Sequence, residues 1–126
     1  MPEAPLVAIV DDDESIRQTT RDLLESAGFS AASFASADSF LRSQRLKRFR
    51  CMIVDMRMPG MTGIELHQRL AASKRAMPTI LISAYLDDRV RAQALQTGVV
   101  CCLAKPFAPE ELLACVRTAL TRTPKS

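Results

Sequence analysis

Residues 6–13 read LVAIVDDD, five consecutive apolar residues running straight into three aspartates. The run has no period-two alternation, so it does not describe a strand with one wet face. It suits a strand buried on both faces, as in a parallel sheet. Three further runs share this character, CMIVD at 51–55, TILIS at 79–83 and VVCCLA at 99–104, and a weaker one, SAASFA, lies at 30–35. Between the runs, apolar residues recur at helical spacing. Ile16, Leu23, Leu24 and Ala27 share a face within 14–27, and Leu66, Leu70 and Ala71 share one within 62–74. Val90, Ala94 and Leu95 do so within 87–97, and Leu112, Leu113, Val116 and Leu120 within 109–120. Gly28 and Gly98 are suited to stop the first and third of these helices. Pro109 followed by Glu110 and Glu111 is a good helix start. Residues 36–48 read as one more helix. Strand and helix thus alternate five times, which calls for right-handed crossovers and an α/β fold: one doubly wound, five-stranded parallel sheet with helices on both faces.

The chain has 126 residues, enough for one domain and a real core, with about two-thirds of the unfolded surface buried. Apolar residues make up 48% and charged residues 25%, which excludes disorder along the whole chain. No apolar run approaches the ~18 residues of a membrane span. The start, MPEAPLVAIVDDD, lacks the basic region of a signal peptide, so a cytoplasmic location is expected. Residues 1–5 read as a tail, 6–121 as the domain, and 122–126 as a tail or the start of a linker. Seventeen Lys and Arg against 14 Asp and Glu give a net charge of +3, too weak by itself to argue for nucleic acid. A basic stretch, Arg42, Arg45, Lys47, Arg48 and Arg50, holds one aromatic, Phe49, and reads as a solvated helix end and loop. Cys51, Cys101, Cys102 and Cys115 have no CxxC spacing and read as reduced thiols acting as small core hydrophobes.

In a sheet of this kind functional groups collect at the carboxyl ends of the strands. The first strand ends into Asp11, Asp12 and Asp13, the third at Asp55, the fourth at Ser83 and the fifth at Lys105-Pro106. Crowded carboxylates repel one another unless a cation sits among them, and hard oxygen ligands with open positions suit Mg2+. A carboxylate beside such an ion is a nucleophile toward phosphorus. A lysine and a serine nearby can neutralise and hydrogen-bond phosphoryl oxygens. Each residue also has a plainer reading: Asp11 to Glu14 suit a helix N-terminus, Asp55 a turn cap, Ser83 an ordinary strand end, and Lys105 the surface. His67, the single histidine, reads as a solvated or packed helix residue.

The pieces VDDDE, VDMRMPGMTG, LISA and LAKPF, in this order and at these strand ends, resemble the receiver domain of bacterial two-component response regulators. The resemblance spans about residues 5–121, and the last two pieces look closest to receivers joined to helix-turn-helix output domains. It implies a flavodoxin-like sheet of order 2-1-3-4-5 with five helices. It implies Asp55 as phosphoacceptor and Asp12 as a direct Mg2+ ligand, with Asp11 acting mainly through water. Arg57 would give its backbone carbonyl to the metal, Lys105 would contact the phosphoryl group, and Ser83 would stand at the hydroxyl switch position. The bond before Pro106 would be cis. The family carries an aromatic residue three positions before the lysine; Cys102 stands there, so the usual coupling of hydroxyl and ring cannot operate in its ordinary form.

The function expected is phosphoryl transfer from a sensor histidine kinase to Asp55, followed by a population shift that controls an output domain or partner, transcriptional in kind. The output lies outside these residues, and a second copy could pair through the fourth-helix to fifth-helix face. No direct nucleic-acid or membrane binding is expected. A turnover phosphohydrolase of the aspartate type needs a second acid two residues after the nucleophile, where Arg57 stands. Neither G-x-x-x-x-G-K-[ST] nor G-x-G-x-x-G occurs. The alternative is an interaction domain that keeps the fold and works without phosphorylation, a reading kept open by Cys102.

Overall fold

Five parallel strands lie in the order β2-β1-β3-β4-β5 in the computed structural model, which describes residues 4–121. The strands are β1 (Leu6–Val10), β2 (Ser30–Phe34), β3 (Cys51–Asp55), β4 (Thr79–Ser83) and β5 (Cys101–Ala104). The helices between and after them are α1 (Glu14–Ser26), α2 (Ala37–Leu41), α3 (Gly63–Ala72), α4 (Asp88–Gln96) and α5 (Pro109–Thr121). The fold class and strand order expected from the sequence are those observed. Of the tails expected at 1–5 and 122–126, residues 1–3 and 122–126 lie outside the described residues.

Every residue of β3 and β4 is buried, because these central strands are covered on both faces. Side chains alternate between two cores. Ala8, Val10, Met52, Val54 and Leu81 pack with Phe40, Leu66, Leu70 and Ala94 from α2, α3 and α4. Val7, Ile9, Ile53, Ile80 and Ile82 pack with Leu24 of α1 and Leu112, Val116 and Ala119 of α5. Cutting back one fully buried isoleucine such as Ile53 to alanine would cost about 2–5 kcal/mol.

The helix starts are capped by side chains that take otherwise unmatched N–H groups. Asp13 accepts from Ser15 and Ile16, Ser36 from Ser39, and Asp87 from Val90. Thr62 and Glu65 form a reciprocal capping box at α3. Gly28 and Gly98 have φ of 95° and 98°, the left-handed turns that end α1 and α4 as expected.

Four details differ from expectation. The segment 36–48 is not one helix: α2 has five residues, and a 3₁₀ turn follows at Leu46–Arg48. The Ser43 hydroxyl accepts the Arg45 N–H at 3.1 Å, a local bond that competes with the helix. Phe49 is thereby brought to Phe34 and Phe40, its ring centroid 5.7 and 5.5 Å from theirs. Leu95 does not share the packed face of α4; it is 48% exposed, because the contact centres on Ala94, one residue and ~100° away. Ala71 likewise faces solvent on α3, where Leu66, His67 and Leu70 take the buried side. β5 begins at Cys101, since the Val99 N–H still bonds to the Ala94 carbonyl at the end of α4. No helix among the described residues is long and apolar enough to cross a membrane.

Candidate functional site

The register sets the geometry. Val10 pairs with Val54, so Asp11 and Asp55 leave neighbouring strands at the same level, and Asp55 itself pairs with Ile82. Asp11 is 1% exposed and Asp55 7%, whereas Asp12 faces solvent. Asp11, Asp12 and Asp55 each offer a carboxylate oxygen within 4.8 Å of the others. Asp13 does not join them: its carboxylate caps α1, and that hydrogen bonding, Ser15 first, holds it below the usual carboxylate range.

Lys105 arrives from the end of β5 and bridges the two buried acids. Its Nζ lies 3.2 Å from Asp11 Oδ2 and 3.3 Å from Asp55 Oδ2. The Lys105–Pro106 bond is cis, as the resemblance implied. Asp11 Oδ1 accepts the Asp13 N–H at 2.9 Å, and its carbonyl accepts from Arg17 Nη1 at 2.8 Å. Burial, and next the Asp11 charge, push the Asp55 carboxyl above its ordinary range, and Lys105 only partly offsets them. Burial opposes the charge on Lys105, yet Asp11 and Asp55 together hold its ammonium above the usual lysine value.

Ser83 is buried one residue beyond Ile82, and its hydroxyl accepts the Tyr85 N–H at 3.1 Å. No hydrogen bond joins that hydroxyl to the carboxylates or to the Lys105 ammonium among the described residues. The Lys105 N–H donates to the Ser83 carbonyl at 2.9 Å, tying the ends of β4 and β5. The Arg57 guanidinium stacks over Tyr85, 5.1 Å from the ring centroid, and Tyr85 is 69% exposed. Cys102 is a buried filler in the core beneath α4, its thiol pushed up by burial, and its carbonyl accepts from Arg91 Nη1 at 3.3 Å.

Gly63 escaped the sequence reading, and His67 takes the packed of the two readings given for it. Gly63, the first residue of α3, lies so close to β3 that an added Cβ would stand 2.7 Å from the Asp55 carbonyl oxygen and 2.7 Å from Leu81 Cδ1. Its signal was the MTG turn beside a capping box, but only the fold shows what it approaches. His67 is packed rather than solvated. Its Nδ1 lies 2.7 Å from Thr79 Oγ1 and its Nε2 2.8 Å from the Thr97 carbonyl, so it stitches α3 to β4 and to the end of α4.

The chain matches the response regulator receiver domain family over residues 7–117. It is 38% identical over 119 residues to the C4-dicarboxylate transport transcriptional regulatory protein DctD of Rhizobium meliloti, covering 94% of this chain and 26% of DctD. It is 34% identical over 122 residues to the response regulator protein TodT of Pseudomonas putida, covering 97% of this chain and 54% of TodT. The chain therefore spans from about a quarter to about half the length of these curated relatives. Among solved structures, the response regulator StyR superposes with a TM-score of 0.86 at 40% identity, over 94% of this chain and 60% of StyR. The N-terminal part of FixJ superposes with a TM-score of 0.85 at 29% identity over the whole of both chains. On this match, and with carboxylates and a lysine at the strand ends, the chain belongs to the response regulator receiver domains of two-component systems, which are signalling switches rather than turnover enzymes.

Proposed function

We propose that Asp55 accepts a phosphoryl group from a sensor histidine kinase and that residues 6–121 form the switching unit. The observation that carries this reading is the convergence of Asp11, Asp12, Asp55 and Lys105 from the ends of three strands. Three carboxylate oxygens within 4.8 Å form a hard donor set that fits a divalent cation such as Mg2+. Asp11, Asp12 and Asp55 would hold the ion together with the Arg57 carbonyl, and bound there it would offset negative charge on phosphoryl oxygens. An Asp55 oxygen attacks phosphorus as the P–N bond of the donor phosphohistidine breaks. The imidazole keeps the electron pair and takes a proton. Lys105 stays charged and turns its ammonium toward the phosphoryl oxygens. A groove of about 390 Å³ lined by Ile16, Thr19, Leu23, Lys105 and Phe107 opens beside the lysine and supports docking of the donor there.

With Cys102 in place of an aromatic, the signal runs through Ser83 and Tyr85. A Ser83 hydroxyl turned toward a phosphoryl oxygen releases the Tyr85 N–H, and the loop carrying Tyr85 then leaves its stack on Arg57. Tyr85 precedes α4 and Leu95 lies on it, both exposed, and a second copy or an output partner docked on the α4–α5 face would read the change. Transcriptional output is supported by the names of relatives such as DctD. A kinase donor implies work in the cytoplasm.

Intact mass after incubation with acetyl phosphate and Mg2+ tests the proposal. Wild type should gain about 80 Da, one phosphoryl group, and Asp55→Asn should gain nothing. A gain in the Asn variant would move the phosphoacceptor elsewhere. No gain with either acetyl phosphate or a panel of histidine kinases would favour the phosphorylation-independent reading, for which Cys102 is the supporting observation.

A further inference from the structure

The carboxylates occupy one edge of the sheet; the opposite edge, where the strands begin, is basic. Two cavities adjoin there. One, of about 460 Å³, is lined by Pro5, Leu6, Ser30, Arg45, Arg48 and Arg50. The other, of about 340 Å³, is lined by Lys47, Arg50, Lys74 and Arg75 together with apolar residues. Arg50 stands in the wall of both, and among the described residues neither lining contains an acid. Among the described residues, Arg42 pairs with Asp38 and Arg21 with Glu25, but no carboxylate lies within ion-pair distance of Arg45, Lys47, Arg50, Lys74 or Arg75.

A plain solvated edge explains part of this. Lysine and arginine are favoured where helices end, and α3 ends just before Lys74. Two observations go further. Arg45 and Arg50 line one concavity rather than standing apart on a convex loop. Lys74 has φ of 60°, a conformation that favours glycine or asparagine, yet it holds a lysine at the lip of the second cavity. Guanidinium groups present planar forks that match phosphate oxygens in pairs, and Ser30 adds a neutral donor.

We propose that this edge binds an anion carrying a chain of two or more phosphate groups, lying from Arg45 across Arg50 toward Lys74. A nucleoside polyphosphate and an inorganic polyphosphate share this chemistry.

The test is a ¹⁵N NMR titration of the whole chain with inorganic tripolyphosphate, with ATP, and with a short DNA duplex, each at matched ionic strength. Saturable shifts are expected at residue 30, residues 45–50 and residues 74–75 with tripolyphosphate. Affinity should fall at least tenfold in the double variant Arg45→Gln/Arg50→Gln, with labelling of Asp55 unchanged. Lys74→Gly should weaken binding while raising the melting temperature, which separates lost charge from lost fold. Tighter binding of ATP than of tripolyphosphate would identify a nucleotide as the source; equal or weaker binding would identify the inorganic chain. Shifts that do not saturate, that sodium sulfate reproduces, or that survive in the double variant would overturn the proposal. Binding of the duplex without tripolyphosphate binding would also overturn it, in favour of a nucleic-acid surface.

Discussion

Gly63→Ala tests how tightly α3 is seated on the phosphoacceptor strand. The new methyl would sit 2.7 Å from both the Asp55 carbonyl oxygen and Leu81 Cδ1. Leu81 can turn, but the carbonyl belongs to the backbone of a central strand. Reaching ordinary contact at 3.4 Å needs 0.7 Å of movement, shared between α3 and the end of β3. Overpacking of this kind costs about 1–3 kcal/mol. At about 3–5 °C per kcal/mol for a domain this size, the melting temperature should drop by roughly 3–15 °C. The same shift displaces Asp55 by about 0.35–0.7 Å. On the scale where a 1 Å error costs about 100-fold, labelling by acetyl phosphate should slow about 5- to 25-fold. Gly28→Ala is the control: it has φ of 95° and open space around its Cβ, so it should lower stability without slowing labelling. Melting by circular dichroism and labelling by intact mass measure both effects. A Gly63→Ala protein that melts within about 2 °C of wild type and labels at the same rate would refute the reasoning.

Asp55→Asn should be more stable than wild type at neutral pH without divalent metal. The folded carboxyl sits above its ordinary value because of burial and Asp11. Its contribution to stability is therefore complete below the unfolded value of about 3.9 and is lost as pH rises through the folded value. The advantage of the Asn variant should open between acid and neutral pH in thermal melts; a constant or reversed gap would contradict the assignment. Lys105→Met leaves two buried carboxylates without their cation and should cost about 3 kcal/mol, the lower end of the range for breaking a buried pair, because the lysine side chain is 18% exposed. Millimolar Mg2+ should restore part of that loss in urea titrations, and a cost under about 1 kcal/mol would argue against the bridge. Tyr85→Ala removes an exposed cation–π contact worth at most about 1 kcal/mol, so the fold should be nearly unaffected. Hydrogen exchange at residues 84–90 should then respond less to phosphorylation than in wild type, and an unchanged response would exclude Tyr85 from the relay.

The central strands were legible because burial on both faces leaves an unbroken apolar run, and β1, β3 and β4 carry the boundaries read from the sequence. The region 36–48 was not, because a serine that closes a local turn looks the same in sequence as one on a helix. Leu95 misled because an exposed leucine on a short helix fits the helical period as well as a buried one does. The meeting of Asp11, Asp55 and Lys105 followed from strand-end positions alone, since a parallel sheet brings those ends to one edge. The partners of His67 lie 12 and 30 residues away, and the approach of Gly63 to Asp55 depends on helix placement. Neither leaves a local trace.

The coverage of the second core has a consequence for biosynthesis. A nascent chain grown as far as residue 104 holds all five strands, yet the face bearing Ile9, Ile53, Ile80 and Ile82 has only α1 over it. Leu112, Val116 and Ala119 follow the strands in α5 and close it. Until then those isoleucines are open to chaperones or to other unfinished chains. Closing of this face therefore waits until α5 has left the ribosome. A premature stop inside α5 would yield a chain that is cleared or aggregates, not a receiver with reduced signalling.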